Sequence, residues 1–232
     1  MSEVETFDSV WEEKYSKGHL QLYPWDMVVS FVFRNYPRDI ERREVCILEV
    51  GCGAASNLWF AAREGFTVAG VDGSHSAIET AKQRFAADGL EGDLRVADFT
   101  TLPFEDESFH LVIDRGAITC SGLTGGIKAV SEVRRVLKPG GKFLFNPYSD
   151  RHASCAAGEP GPDGVSINIS GGTLTGVGQI CFYNQDQVRA ALAGGWQISS
   201  LQHTESMELQ KGRPLPHCEW RIVAQKVTND SA

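Results

Sequence analysis

The sequence predicts an α/β fold, a three-layer sandwich around a seven-stranded, mostly parallel sheet. Three observations carry this. Apolar, β-branched runs at Val45 to Val50, Phe66 to Val71, Leu94 to Val96, His110 to Ile113 and Lys142 to Asn146 alternate with stretches of helical periodicity, the pattern of parallel strands joined by helical crossovers. Two more runs, Trp196 to His203 and Cys218 to Val227, close the chain after a last helix. The length, 232 residues, suits one such domain and is short for two.

The chain is organised around Val45 to Asp72. The first strand breaks at Gly51-Cys52-Gly53, a helix runs from about Ser56 to Glu64, and the second strand closes on Asp72, which makes a βαβ unit. Glycine lets the backbone turn sharply and admits a ligand closely, and the helix behind it offers free N–H groups. An acidic residue ending the second strand is placed for ribose hydroxyls, so a nucleoside-containing cofactor is expected. The dinucleotide fingerprint G-x-G-x-x-G fails at its last position, which is Ser56.

Around this unit the elements follow in order. Ser9-x-x-Glu12 has capping-box spacing, so a helix is expected from Val10, with Trp11 and Tyr15 on one face and Gly18 as its stop. A second is expected from Pro24 to Tyr36, bounded by Pro37. Ser74 to Ala87 reads as a helix capped by Ser74 or Ser76, Gly126 to Val136 as another, and Leu137-Lys-Pro-Gly-Gly141 as the turn into the fifth strand. From Asp150 the composition turns glycine-rich, and Val165 to Ser170 with Thr173 to Val177 flank Gly171-Gly172 as a hairpin. Tyr183 to Gly194 is the last helix.

The run Glu49-Val50-Gly51-Cys52-Gly53, with Ala55 where a third glycine is usual, resembles the first motif of the class I S-adenosylmethionine-dependent methyltransferases of the small-molecule type. Asp98-Phe99 after the third strand, the phrase LPFEDESFHLVIDRGAI and the K-P-G-G turn follow in that family's order. The resemblance implies a Rossmann-like sandwich whose final strand is antiparallel, with N-terminal capping helices, and in that order of elements the hairpin read above is an insertion after strand 5. It implies a single domain, divided as 1–43 cap, 44–149 cofactor core, 150–180 lid or recognition insertion and 181–228 closing helix and strands. The cofactor implied is S-adenosyl-L-methionine, held by Glu49, Gly51, Cys52, Gly53, Asp72, Gly73, Asp98, Phe99, Asp114 and Arg115 and covered by Trp11 and Tyr15. Asp98 is expected at the adenine amino group, and Asp114 beside the methionine part.

A sulfonium methyl is already electrophilic, so the protein's task is to place the acceptor and exclude water. A hydroxyl acceptor would want a general base, and His152, His217 and Tyr148 are the candidates near the carboxyl edge, with His203 and His19 as further histidines. No metal is expected. Six cysteines without C-x-x-C spacing read as free thiols, and the acidic first ten residues lack an apolar targeting core, so a cytoplasmic location is expected. No run reaches the length of a membrane span, and a net charge of -8 argues against nucleic acid. The expected partner is a small molecule and the expected state a monomer or homodimer. The alternatives are an NAD-dependent oxidoreductase, disfavoured by Ser56, a non-catalytic binding subunit of the same fold, and aminopropyl transfer.

Overall fold

The computed structural model describes residues 6–210, 212 and 215–227. In chain order they form α1 (Val10–Ser16), α2 (Asp26–Asn35), β1 (Cys46–Val50), α3 (Ser56–Arg63), β2 (Thr67–Asp72), α4 (His75–Ala87), β3 (Asp93–Val96), β4 (Phe109–Asp114), α5 (Leu123–Val136), β5 (Leu137–Phe145), α6 (Ala153–Ala156), β6 (Glu159–Pro160), β7 (Val165–Ile167), β8 (Ile180–Cys181), α7 (Gln185–Ala191), β9 (Trp196–Ser206) and β10 (His217–Lys226). The main sheet has the order β3-β2-β1-β4-β5-β10-β9. The pairs among β3, β2, β1, β4 and β5 are parallel, and β10 runs antiparallel to both β5 and β9. This is the predicted sandwich, with the last strand reversed.

Alternation along each strand sends side chains to two faces. On β1, Ile47 joins the layer of α2, α3 and α4, while Leu48 and Val50 join that of α5 and α7. Because both faces are covered, the central strands read as continuous apolar runs rather than alternating ones. The strand order reverses direction between β1 and β4, so the loops that leave their carboxyl ends part and open a crevice there. Among the described residues no helix is long and apolar enough to cross a membrane.

Three local expectations differ. The Ser9 side chain makes no capping bond; Asp8 accepts from the Val10 N–H instead, and Glu12 reaches across to Ser74 and Ser76. A long-range partner outcompetes the local box. The K-P-G-G segment lies within β5, where it bulges out: Phe109 faces Leu137, yet Leu111 already faces Lys142.

The third difference is the hairpin at Gly171-Gly172, which does not form. Val165–Ile167 pairs instead with Glu159–Pro160 and with Ile180–Cys181 in a separate small antiparallel sheet. Asn168 turns left-handed and ends that strand. Beyond it the chain wraps around the buried Ser154, whose hydroxyl donates to the Gly171 carbonyl at 2.8 Å and accepts from the Leu174 N–H at 3.2 Å. Two backbone groups thus depend on one hydroxyl. Ser154→Ala is expected to cost about 1–3 kcal/mol, read as a shift in the urea unfolding midpoint.

Candidate active site

The crevice between β1 and β4 is where the loop Gly51 to Ala55 turns out of the sheet. Gly51 (φ 64°), Gly53 (φ 53°) and Ala55 (φ 56°) all adopt the left-handed region. Cβ-bearing Ala55 holds this conformation against its preference as the residue before α3. A Cβ on Gly51 would strike Ala117 Cβ, so that glycine is required by close approach as well as by φ, while one on Gly53 would meet the end of the Tyr15 side chain, and there φ is the stronger requirement.

The end of β2 locks this loop. Asp72 Oδ2 accepts from the Gly53 N–H and Oδ1 from the Ser74 N–H, each at 2.8 Å. Burial pushes its carboxyl above the usual range despite these bonds. On β1, Glu49 is 2% exposed. Its Oε1 accepts from Asn57 Nδ2 at 2.6 Å, and its Oε2 has no partner in the protein. Burial, only partly offset by Asn57, pushes this carboxyl up to about 8. An unpaired carboxylate oxygen in such a place is costly unless a ligand completes it.

The N-terminal segment closes the crevice from above. Phe7 lies over Gly73, Tyr15 over Gly53, and Glu12 bonds Ser74 and Ser76. Beneath it are two cavities. The smaller, of about 130 Å³, is bounded by Phe7, Trp11, Tyr15, Asp72, Gly73 and Phe99. The larger, of about 540 Å³, runs from Glu49, Cys52 and Gly53 past Trp25 to Tyr148 and His217. Gly51 and Arg115 line both.

Of the residues expected at the cofactor, Glu49, Gly51, Cys52, Gly53, Asp72, Gly73, Phe99, Arg115, Trp11 and Tyr15 therefore stand around these cavities. Asp98 and Asp114 do not. Asp98 accepts from the Thr100 N–H and hydroxyl and from the Thr6 hydroxyl, so its carboxylate is engaged in a turn and in the N-terminal segment. Asp114 is fully buried and turns inward, accepting from the N–H groups of Ala117, Ile118 and Asn146. Burial lifts its carboxyl to about 6. Its work is to anchor the short 3-10 turn Ile118–Cys120 after β4, which leaves Arg115 as the residue that reaches the crevice.

The three candidate catalytic residues divide. Tyr148 and His217 line the larger cavity. His152, 2% exposed, lies behind them, because its Nδ1 caps α6 by accepting from the Ser154 N–H at 2.9 Å. His203 lies elsewhere, with Nε2 2.8 Å from Ser149 Oγ in a separate cavity beside Trp220. His19 reaches the larger cavity at its exposed mouth, its ring against Trp11 and Tyr15.

Two contributors were not expected. Glu219, nearly buried on β10, binds Arg221 Nε at 2.7 Å and lies 3.5 Å from Arg115 and 3.9 Å from His217 Nε2. Burial alone would raise its carboxyl, but His217, Arg115 and Arg221 outweigh that and hold it at about 2. A carboxylate between the apolar Cys218 and Trp220 was the available signal. Thr173, 2.8 Å from His217 Nδ1, sits in the segment expected as a hairpin strand, and nothing local marks it.

Comparison with known proteins bears on what this crevice holds. Residues 47–141 match a family model described as a methyltransferase domain. The chain is 35% identical over 98 residues to the uncharacterized methyltransferase YodH of Bacillus subtilis strain 168, covering 42% of this chain and 41% of that protein. It is 36% identical over 109 residues to the malonyl-[acyl-carrier protein] O-methyltransferase of Erwinia pyrifoliae, covering 45% and 37%. The chain thus spans about two fifths of the length of these curated relatives. A SAM-dependent methyltransferase structure from Methanosarcina mazei superposes with a TM-score of 0.68 at 21% identity, over 90% of this chain and 100% of that one. The [4+2]-cyclase SpnF superposes at 0.64 and 16% identity, over 94% and 92%.

Proposed function

We propose, from the premise that residues 47–141 are a class I S-adenosylmethionine-dependent methyltransferase domain, that this chain is an enzyme that methylates a small-molecule acceptor and releases S-adenosylhomocysteine. The observation that carries the reading is Glu49 Oε2, a buried carboxylate oxygen on the cavity wall with no protein partner. The ammonium of the cofactor's methionine part is a cation of the right kind to complete it. The rest of the crevice fits the same group: Gly51 and Gly53 give a bare backbone for close approach, Asp72 stands at the strand end for ribose hydroxyls, and Phe99 offers a ring face for adenine.

When bound, the cofactor supplies a methyl carbon already activated by its sulfonium. The chain's own contribution is placement and dryness. Trp11 and Tyr15 cover the crevice, and Tyr148 and His217 stand at the far end of the larger cavity, where an acceptor would be held. Its volume of about 540 Å³ suits a small molecule. One relative's name specifies a malonyl-[acyl-carrier protein] acceptor, and the structural likeness to a cyclase is a reminder that fold alone does not set the reaction.

Calorimetry is the test. S-adenosylmethionine and S-adenosylhomocysteine are expected to bind one to one and NAD not at all; the reverse pattern would reject the reading. Asp72→Ala is expected to weaken cofactor binding by about 1–3 kcal/mol, roughly 5- to 150-fold, through loss of a charged acceptor and of the clasp on Gly53. Unchanged affinity would remove Asp72 from the site.

A further inference from the structure

The far end of the larger cavity contains a hydrogen-bond chain whose direction is set by a backbone group. The Ser154 N–H donates to His152 Nδ1 at 2.9 Å. A backbone N–H can only donate, so that nitrogen is unprotonated, and the proton of the neutral ring is on Nε2. His152 Nε2 lies 3.0 Å from His217 Nδ1 and 3.1 Å from Thr173 Oγ1, and Thr173 Oγ1 lies 2.8 Å from His217 Nδ1. The threonine oxygen could accept from both rings, but two N–H groups would then face each other across 3.0 Å, so His217 Nδ1 is the acceptor. The proton of His217 is then on Nε2, the nitrogen nearest Glu219.

We infer that His217 presents an N–H donor to the acceptor site, with His152 as the positioning residue that sets this tautomer, and that the methyl acceptor is an apolar molecule whose reacting oxygen arrives ionised, a carboxylate above all. This rests on the methyl-transfer reading above and names its substrate class. His217 is poorly suited to be a base: protonating Nδ1 would oppose two N–H groups across 3.0 Å, and Nε2 already bears its proton. Tyr148, half-buried and beside Arg115, has its phenol pushed up by burial, and the Glu219 carboxylate is paired with Arg221 and Arg115. His19, the other imidazole on the wall, stands at the mouth. The guanidinium of Arg115, 3.5 Å from Glu219, lies on the same wall, and Trp25, Leu174, Val177 and Ile180 give that wall apolar surface beside the polar Gln21, Asn57 and Thr173. An ionised oxygen needs no base. Its lone pair forms the C–O bond while the C–S bond breaks with its electron pair on sulfur, and no proton moves.

Two measurements test this on the full chain saturated with S-adenosylhomocysteine. Histidine-selective 15N–1H correlation spectra are expected to show His217 protonated at Nε2 and bare at Nδ1, assigned by comparison with His217→Phe; the opposite tautomer overturns the proposal. Calorimetry with decanoate and decanol is expected to show at least about ten-fold tighter binding of the carboxylate, the usual weight of one charge-assisted hydrogen bond. That preference should vanish in His217→Phe while S-adenosylhomocysteine affinity is kept. If the two probes bind alike, or neither binds, the substrate class is wrong and the methyl-transfer reading stands. If S-adenosylhomocysteine itself does not bind, it is the methyl-transfer reading that fails.

Discussion

Glu49→Gln is expected to stabilise the free protein progressively as the pH rises and, in the same variant, to weaken cofactor binding. The sign follows from burial. The Glu49 carboxyl is pushed up to about 8, whereas in the unfolded chain it ionises near its ordinary value of 4.5. Between those values the folded state holds a proton that the unfolded state has lost, so stability falls as pH rises through this window. At about 1.36 kcal/mol per unit, the loss by pH 7 is on the order of 3 kcal/mol. Glutamine keeps the acceptor for Asn57 Nδ2 without a charge to desolvate, and the penalty disappears. Urea midpoints from pH 5 to 8 should therefore diverge, wild type falling relative to the variant; parallel curves would show that Glu49 ionises freely. The opposite effect on the ligand follows from the same atom. A carboxylate paired with the methionine ammonium is worth about 1.5–3 kcal/mol, so S-adenosylhomocysteine should bind the variant roughly ten- to a hundred-fold more weakly.

Gly51→Ala is expected to destabilise the fold by about 2–5 kcal/mol and to abolish cofactor binding. A left-handed non-glycine residue in a constrained place costs about 1–3 kcal/mol, and forcing a methyl into a filled site costs about as much again. Both apply, since φ is 64° and the new Cβ meets Ala117 Cβ, which the turn anchored by Asp114 holds in place. Relaxation by moving Ala117 would drag that turn and Arg115 with it. Unfolding in urea reads the first effect and calorimetry the second; a variant as stable as wild type would mean that the loop has slack there.

The sheet was legible because its signal is local. Each buried strand from Val45 to Asn146 is a short apolar run, and the crossovers that are helices carry helical periodicity, while β3 and β4 are joined by a loop. The glycine loop was legible for a related reason: a sharp backbone turn and a close approach restrict residue type at the position itself. What could not be read was side-chain direction. Asp114 looks like a ligand-facing acid at a strand end, but three backbone N–H groups draw it inward. Ser9-x-x-Glu12 looks like a capping box, but Ser74 and Ser76, more than sixty positions away, take the glutamate. Gly171-Gly172 has the composition of a hairpin turn, but Ser154 draws the segment around itself. For Glu12 and for Gly171-Gly172 a contact distant in sequence outweighs a local preference worth about 1 kcal/mol, whereas for Asp114 the turn that follows it supplies two of the three donors. His152 and His217 were singled out separately, and only the fold puts their rings side by side.

The most direct measurement is a crystal structure of this chain soaked in S-adenosylhomocysteine. The account predicts density along Gly51 to Gly53 beneath Tyr15, with the methionine ammonium within hydrogen-bond distance of Glu49 Oε2 and the ribose at Asp72. An empty crevice, or a pyrophosphate lying at the start of α3, would contradict it.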